Sequence, residues 1–162
     1  MSWIDFQKHA EETGITIATA ESCTGGLIAA EITRNPGSSK VFERGFVTYS
    51  YPSKVEMLGV SPETLDAEGA VSEAVAAEMA QGALDRSRAT IAVSVTGVAG
   101  PGGSENKPEG RVCFGLAMQD HPTVTETVDF GALGRSAVRE ATMAHALKML
   151  RAATGMDQLP EP

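Results

Sequence analysis

Three short stretches hold residues that chemistry could use: Ala20-Glu21-Ser22-Cys23-Thr24-Gly25-Gly26, Val47-Thr48-Tyr49-Ser50-Tyr51-Pro52-Ser53-Lys54 and Thr96-Gly97-Val98-Ala99-Gly100-Pro101-Gly102-Gly103-Ser104. The first places two potential nucleophiles, Ser22 and Cys23, in a polar loop between apolar segments. A helix starting after Gly26 would aim free N–H groups back at that loop, where they bind an oxyanion, activate a nucleophile or simply take a Ser or Thr cap. In the second, Lys54 follows a strand and a turn, and a lysine buried in a cleft loses its proton more readily and can act as a base. The third is a glycine-rich turn. It lacks the Lys of a phosphate-binding G-x-x-x-x-G-K-[ST] loop, since position 103 is Gly, and the third glycine of G-x-G-x-x-G, since position 105 is Glu. Its backbone amides remain available to an anion.

The elements around these stretches read as strands and helices in alternation. Ser2 and Asp5 form a capping box and Gly14 a stop, so the chain opens with a helix. Strands follow at Ile15–Ala20, Val41–Tyr49 and Thr90–Val95, with helices after Gly26, near Ser53–Leu58, after the Ser61-Pro62 cap and from Ser72 to Leu84. Arg111–Met118 and Thr123–Phe130 read as a hairpin, and a last helix from Arg135 carries Met143, Ala146, Leu147 and Leu150 on one apolar stripe. This pattern predicts a three-layer α/β/α domain with a mixed, mostly parallel sheet. Residues 1–154 form one domain on this reading, and 155–162 a poorly ordered tail. Each chemical stretch begins where a strand ends, which is where open α/β sheets place their sites.

Composition narrows the classes. The chain has 162 residues, 42% hydrophobic and 21% charged, as in a globular domain. Thirteen Lys and Arg against 21 Asp and Glu give a net charge of −8, which argues against nucleic-acid or anionic-membrane partners. The sequence contains no spanning-length apolar run and no signal-peptide pattern, and its two cysteines make no C-x-x-C; a cytoplasmic protein is expected. His9, His121 and His145 stand apart, so neither a metal site nor a cofactor is predicted. Cys113 reads as core, His121 as a solvated turn residue and His145 as packed or surface. Arg135 and Arg139, four apart near a helix N-terminus, oppose the helix dipole. They read either as a phosphate site or as surface arginines satisfied by Glu140 and other acids.

Taken together, the three stretches resemble the C-terminal domain of the CinA family (competence/damage-inducible proteins), whose stand-alone members are nicotinamide-nucleotide amidases. The resemblance adds Leu58-Gly59-Val60, Gly69-Ala70-Val71-Ser72, Lys107-Pro108 and Gly110, in the family's order, over about residues 6–152. It implies hydrolysis of the carboxamide of nicotinamide mononucleotide to nicotinate mononucleotide and ammonia, without metal or cofactor, by a homodimer. Ser22 would be the nucleophile, with Tyr49 and Lys54 completing the catalytic group. Amide hydrolysis needs a nucleophile, a base, an acid for the departing ammonia and an oxyanion hole; with no His in the motifs, Lys54 is the best base, and Tyr49 would hold it or relay a proton. Glu21, Cys23, Thr24, Gly25, Thr96, Gly97, Gly100, Gly102, Gly103, Arg135 and Arg139 would line the substrate site, the glycine amides and the arginines taking the phosphate. The chain departs from the family at Tyr51, where many members have Asn, at Glu109, where many have Val, and at Leu133-Gly134-Arg135, where many have Gly-Asp-Arg. A nucleotide-binding or regulatory module without turnover, and a protein-interaction domain, are the rival readings.

Overall fold

The computed structural model describes residues 2–155. The chain runs α1 (Trp3–Thr13), β1 (Ile17–Glu21), α2 (Leu27–Ile32), a 3-10 turn (Ser38–Lys40), β2 (Phe42–Val47), α3 (Tyr51–Leu58), α4 (Pro62–Glu68), α5 (Glu73–Asp85), β3 (Ile91–Gly97), β4 (Arg111–Met118), β5 (Val124–Asp129) and α6 (Arg135–Ala153). The helix starts obey their caps. Ser2 and Asp5 close the expected capping box, Gly14 takes the left-handed stop, and Ser61 and Ser72 cap α4 and α5. Apart from Gly155, the expected tail lies outside the described residues.

The five strands form one sheet in the order β2-β1-β3-β4-β5. β1 pairs in parallel with β2 and β3, while β3–β4 and β4–β5 are antiparallel. The sheet is therefore evenly mixed in its pairings, although four of the five strands run the same way. The departure from a mostly parallel sheet comes from the β4–β5 hairpin. A short connection around Asp120, at φ 61°, can join only antiparallel neighbours.

The two faces of the sheet differ in bulk. Ile17, Ile91, Val93, Val95, Phe114 and Leu116 meet Phe6, Ile28, Ile32, Val138 and Leu150 of α1, α2 and α6. The opposite face offers Ala18, Ala20, Ala92 and Ala117 to Leu58, Leu65, Val75, Met79 and Ala83 of α3, α4 and α5. This period-two alternation makes the three layers. The small residues let α5 settle close. Ser94 Oγ donates to the Ala76 carbonyl at 2.6 Å, and a Cβ on Gly115 would stand 2.4 Å from the same oxygen. α5 in turn seats α3, since a Cβ on Gly82 would lie 2.0 Å from the Leu58 carbonyl. Small side chains on two strands thus set the depth of the helix that carries Lys54.

Candidate active site

The C-terminal ends of β1, β2 and β3 meet at one edge of the sheet and deliver Ser22, Thr48–Tyr49 and Gly97 to a common cleft of about 270 Å³. The cleft is lined by Ser22, Cys23, Tyr49, Lys54, Thr96, Gly97, Gly100, Gly102, Gly103 and Arg135, all expected from the sequence, with Val98, Ala99 and Pro101 between them. Tyr51, Ala70, Val71, Ser104 and Glu105 also line it. Ala70, Val71 and Ser104 stood in the motif stretches with no role assigned, and Tyr51 was not expected there because helix α3 begins at it, two residues earlier than expected. Ser50 is its N-cap, in a reciprocal box with Ser53, and Pro52 sits in the first turn. The signal was the Ser-x-x-Ser spacing with Pro between. It places Tyr51 and Lys54 three apart on one helix face.

Lys54 is 1% exposed. Its Nζ lies 3.0 Å from Ser22 Oγ and donates to the Thr48 carbonyl at 2.5 Å. Burial pushes the amine down to about 8, against a lesser opposing pull from the Cys23 sulfur. A neutral amine fits this site. It has two N–H donors and one lone pair, so it can give a proton to Thr48 and receive the Ser22 hydroxyl proton. A charged ammonium would carry three donors, and the described residues provide acceptors only at Thr48 and Ser22.

Cys23, the rival nucleophile, is buried, and desolvation pushes its thiol up to about 11, so it is protonated and unreactive near neutrality. It packs in the core beside Ala99 and Val138. Cys113 is likewise core. His145 is packed against Phe114 and pairs with Glu126 at 2.5 Å, and His121 is an exposed turn residue.

Four residues expected to touch substrate do not line the cleft: Glu21, Thr24, Gly25 and Arg139. Glu21 is 1% exposed and its carboxylate is fully used within the protein. It accepts from Thr24 Oγ1 at 2.6 Å and from the amides of Ile28 and Ala29 at 2.9 and 3.1 Å. Glu21 therefore caps α2 from outside the helix, and the α2 amides are not free for an oxyanion. Thr24 is buried as its partner, and Gly25 faces outward at φ 60°, turning the chain into the helix. Arg139 turns inward along α6. Its guanidinium donates to the carbonyls of Cys23 and Thr24 at 3.2 and 3.1 Å. It ties α6 to the Ser22 loop through these two charge-assisted hydrogen bonds.

Arg135, one turn earlier, does reach the cleft. It donates to the Gly100 carbonyl and to the Tyr49 hydroxyl, both at 2.7 Å. Two of its five N–H donors are thereby engaged. Tyr49 lines the cleft with Ser22 and Lys54, and its hydroxyl accepts from Arg135 rather than bonding to either of them. Neither arginine pairs with Glu140, the alternative partner. On the glycine-rich side, Thr96 Oγ1 donates to the Ala70 carbonyl at 2.8 Å, and Gly102 N donates to Glu109 at 3.2 Å, which removes one amide from those expected at a phosphate. Gly97 must be glycine for packing: a Cβ there would lie 2.7 Å from Val112 and 2.9 Å from the Arg111 carbonyl.

Known proteins resemble this chain in sequence and in fold. The protein from Escherichia coli K12 named nicotinamide-nucleotide amidohydrolase PncC is 53% identical over 138 residues, covering 85% of this chain and 83% of its own. A CinA-like protein from Chlorobium phaeobacteroides is 59% identical over 124 residues, but this chain spans only about a third of the length of such longer relatives. The crystal structure of competence/damage inducible protein CihA from Agrobacterium tumefaciens superposes with a TM-score of 0.89 at 47% identity, covering 93% of this chain and 92% of that one. A CinA superfamily protein from Escherichia coli superposes at 0.87 with 34% identity over 91% of this chain and 86% of its own. The profile of the CinA C-terminal domain matches residues 5–154, so the chain belongs to that family.

Proposed function

We propose that this chain is a nicotinamide-nucleotide amidohydrolase, using Ser22 as nucleophile and Lys54 as base. The observation that carries the reading is the buried Lys54 amine 3.0 Å from Ser22 Oγ at the floor of a cleft. The name of the 53%-identical Escherichia coli relative supports the substrate, the carboxamide of nicotinamide mononucleotide.

Neutral Lys54 takes the proton from Ser22 Oγ as that oxygen attacks the carboxamide carbon. The backbone amide of Cys23, next to Ser22 in the cleft lining, donates to no other described residue and would serve the developing oxyanion. The Lys54 ammonium then returns its proton to the departing nitrogen, and ammonia leaves. Water, deprotonated by the same amine, attacks the acyl-serine, and Ser22 recovers its proton as nicotinate mononucleotide departs. Arg135 would meet the phosphate with its remaining donors, which a protein of net charge −8 requires at the mouth of an anion site.

An ammonia-release assay across pyridine nucleotides tests this. The chain should release ammonia from nicotinamide mononucleotide. Ser22→Ala should abolish turnover without unfolding, while Cys23→Ala should keep it. Absence of ammonia release from the unsubstituted chain would overturn the activity, and the reverse pattern in the two variants would overturn the nucleophile.

A further inference from the structure

The wall of the cleft facing Tyr51 is intrinsically pliant. Four of the seven residues from Gly97 to Gly103 are glycine, and such a backbone loses much freedom when ordered. Just beyond it, Ser104 and Lys107 exchange backbone hydrogen bonds at 3.0 and 2.8 Å, closing a two-residue hairpin. Its tip residues Glu105 and Asn106 both have positive φ, 53° and 63°, as the tight hairpin turn requires. Asn accepts that conformation readily; Glu is held there against its preference.

The Glu105 side chain shows what holds it. One carboxylate oxygen accepts the Tyr51 hydroxyl and the other accepts the Ala70 amide at 3.1 Å. The Ala70 amide also lies 3.2 Å from the Tyr51 oxygen, so the three groups close a ring. Lys107 Nζ donates to the Glu68 carbonyl at 2.6 Å on the same side. The receiving surface is built for this contact. Gly69 sits at φ 77°, and a Cβ there would come 2.7 Å from the Glu105 carboxylate and 2.9 Å from Lys107 Nζ.

We propose that Glu105 is a positioning residue for the reaction: its carboxylate clasps the glycine-rich loop to Tyr51 and Ala70 and so holds the wall of the cleft in its substrate-binding arrangement. The proposal rests on the amidohydrolase reading for its effect on turnover. The clasp joins two walls of the cleft, because Tyr51 lies one helical turn before Lys54 on α3 while Glu105 follows the glycine-rich loop. Without it, substrate binding itself must order the loop, which weakens binding by loss of preorganisation. The Ser22–Lys54 contact does not run through the clasp, so the chemical step is spared.

The test is a double-mutant cycle read by steady-state kinetics on nicotinamide mononucleotide and by amide hydrogen exchange without ligand. Glu105→Ala and Tyr51→Phe should each raise KM about tenfold with kcat held, and the double variant should also lose about tenfold, not a hundredfold. Glu105→Gln should recover most of the loss, since its carbonyl can accept from Ala70 and its amide can donate to the Tyr51 oxygen. Exchange across residues 98–108 should quicken in Glu105→Ala and in Tyr51→Phe, while α5 stays protected. Multiplicative losses, a fall in kcat at constant KM, or unchanged exchange in that loop would each overturn the clasp. If the unsubstituted chain releases no ammonia, the amidohydrolase reading falls, and the exchange measurement still decides the clasp.

Discussion

Arg139 Nε donates to the carbonyl of Cys23, 116 residues earlier, at 3.2 Å, and Nη2 donates to the neighbouring Thr24 carbonyl at 3.1 Å. The last helix thereby fixes the backbone that carries Ser22. These bonds predict that Arg139 acts through the nucleophile's position rather than through the substrate's phosphate. Arg139→Ala should therefore lower kcat, by about 10–100-fold for a misplaced nucleophile, and leave KM for the mononucleotide near its original value. Nicotinamide riboside, which lacks the phosphate, should suffer the same loss. A rise in KM confined to the mononucleotide would return Arg139 to the phosphate.

Lys54 links both activity and stability to pH, and both rise with pH. Its amine, held at about 8 by burial, is mostly protonated at pH 7, so kcat/KM should climb with pH and level off above about 9. Lys54→Arg should stay inactive across the range, because a guanidinium keeps its proton. Between about 8 and the ordinary lysine value of 10.5 the unfolded chain binds the extra proton, so stability contributed through Lys54 rises with pH. Below about 8 the buried amine costs the native state roughly 3 kcal/mol. Lys54→Met should then melt higher than the unsubstituted chain at pH 7, less what the orphaned Thr48 carbonyl loses, and that advantage should shrink by pH 10. Melting curves at three pH values check it; an advantage independent of pH would mean that burial does not lower the Lys54 amine.

Glu21 was legible as part of the motif but not as what it does. Its sequence position, beside the nucleophile, suggested a ligand contact; only the fold shows its carboxylate turned under α2. The same limit applies to Arg139, since contacts across more than a hundred residues depend on how α6 lies over the Ser22 loop. Local signals fared better. The Ser2, Ser61 and Ser72 caps and the strand ends are dictated by a few neighbouring residues, and they suffice to bring Ser22, Lys54 and Gly97 to one edge. The Tyr51–Glu105 contact escaped for a third reason: two positive-φ residues at 105 and 106 carry no Gly to announce the turn.

Removing the cap should be costly in stability. Glu21→Gln keeps the shape but replaces one acceptor oxygen with a donor facing an amide hydrogen or the Thr24 hydroxyl. It should destabilise the protein by about 1–3 kcal/mol, the range for a buried partner left unsatisfied. Urea unfolding measures this. A variant as stable as the original would mean that the α2 amides find another acceptor.

Arg135 is the arginine that lines the cleft, and its neighbours limit what its loss should do. Its two bonds go to the Gly100 carbonyl and the Tyr49 hydroxyl, both on exposed or half-exposed groups that water can satisfy. The scaffold should therefore survive Arg135→Ala with a melting temperature close to the original. The phosphate has no such substitute: in a protein of net charge −8, a dianion at the cleft mouth loses its nearest guanidinium. KM for nicotinamide mononucleotide should rise about 10–100-fold, from roughly 1.5–3 kcal/mol for a charge-assisted hydrogen bond. Arg135→Lys should recover only part of it, because an ammonium cannot bond two phosphate oxygens through a planar fork. The riboside supplies the control. If kcat/KM for nicotinamide riboside falls by the same factor as for the mononucleotide, Arg135 holds Gly100 and Tyr49 in place for catalysis and the phosphate is bound elsewhere.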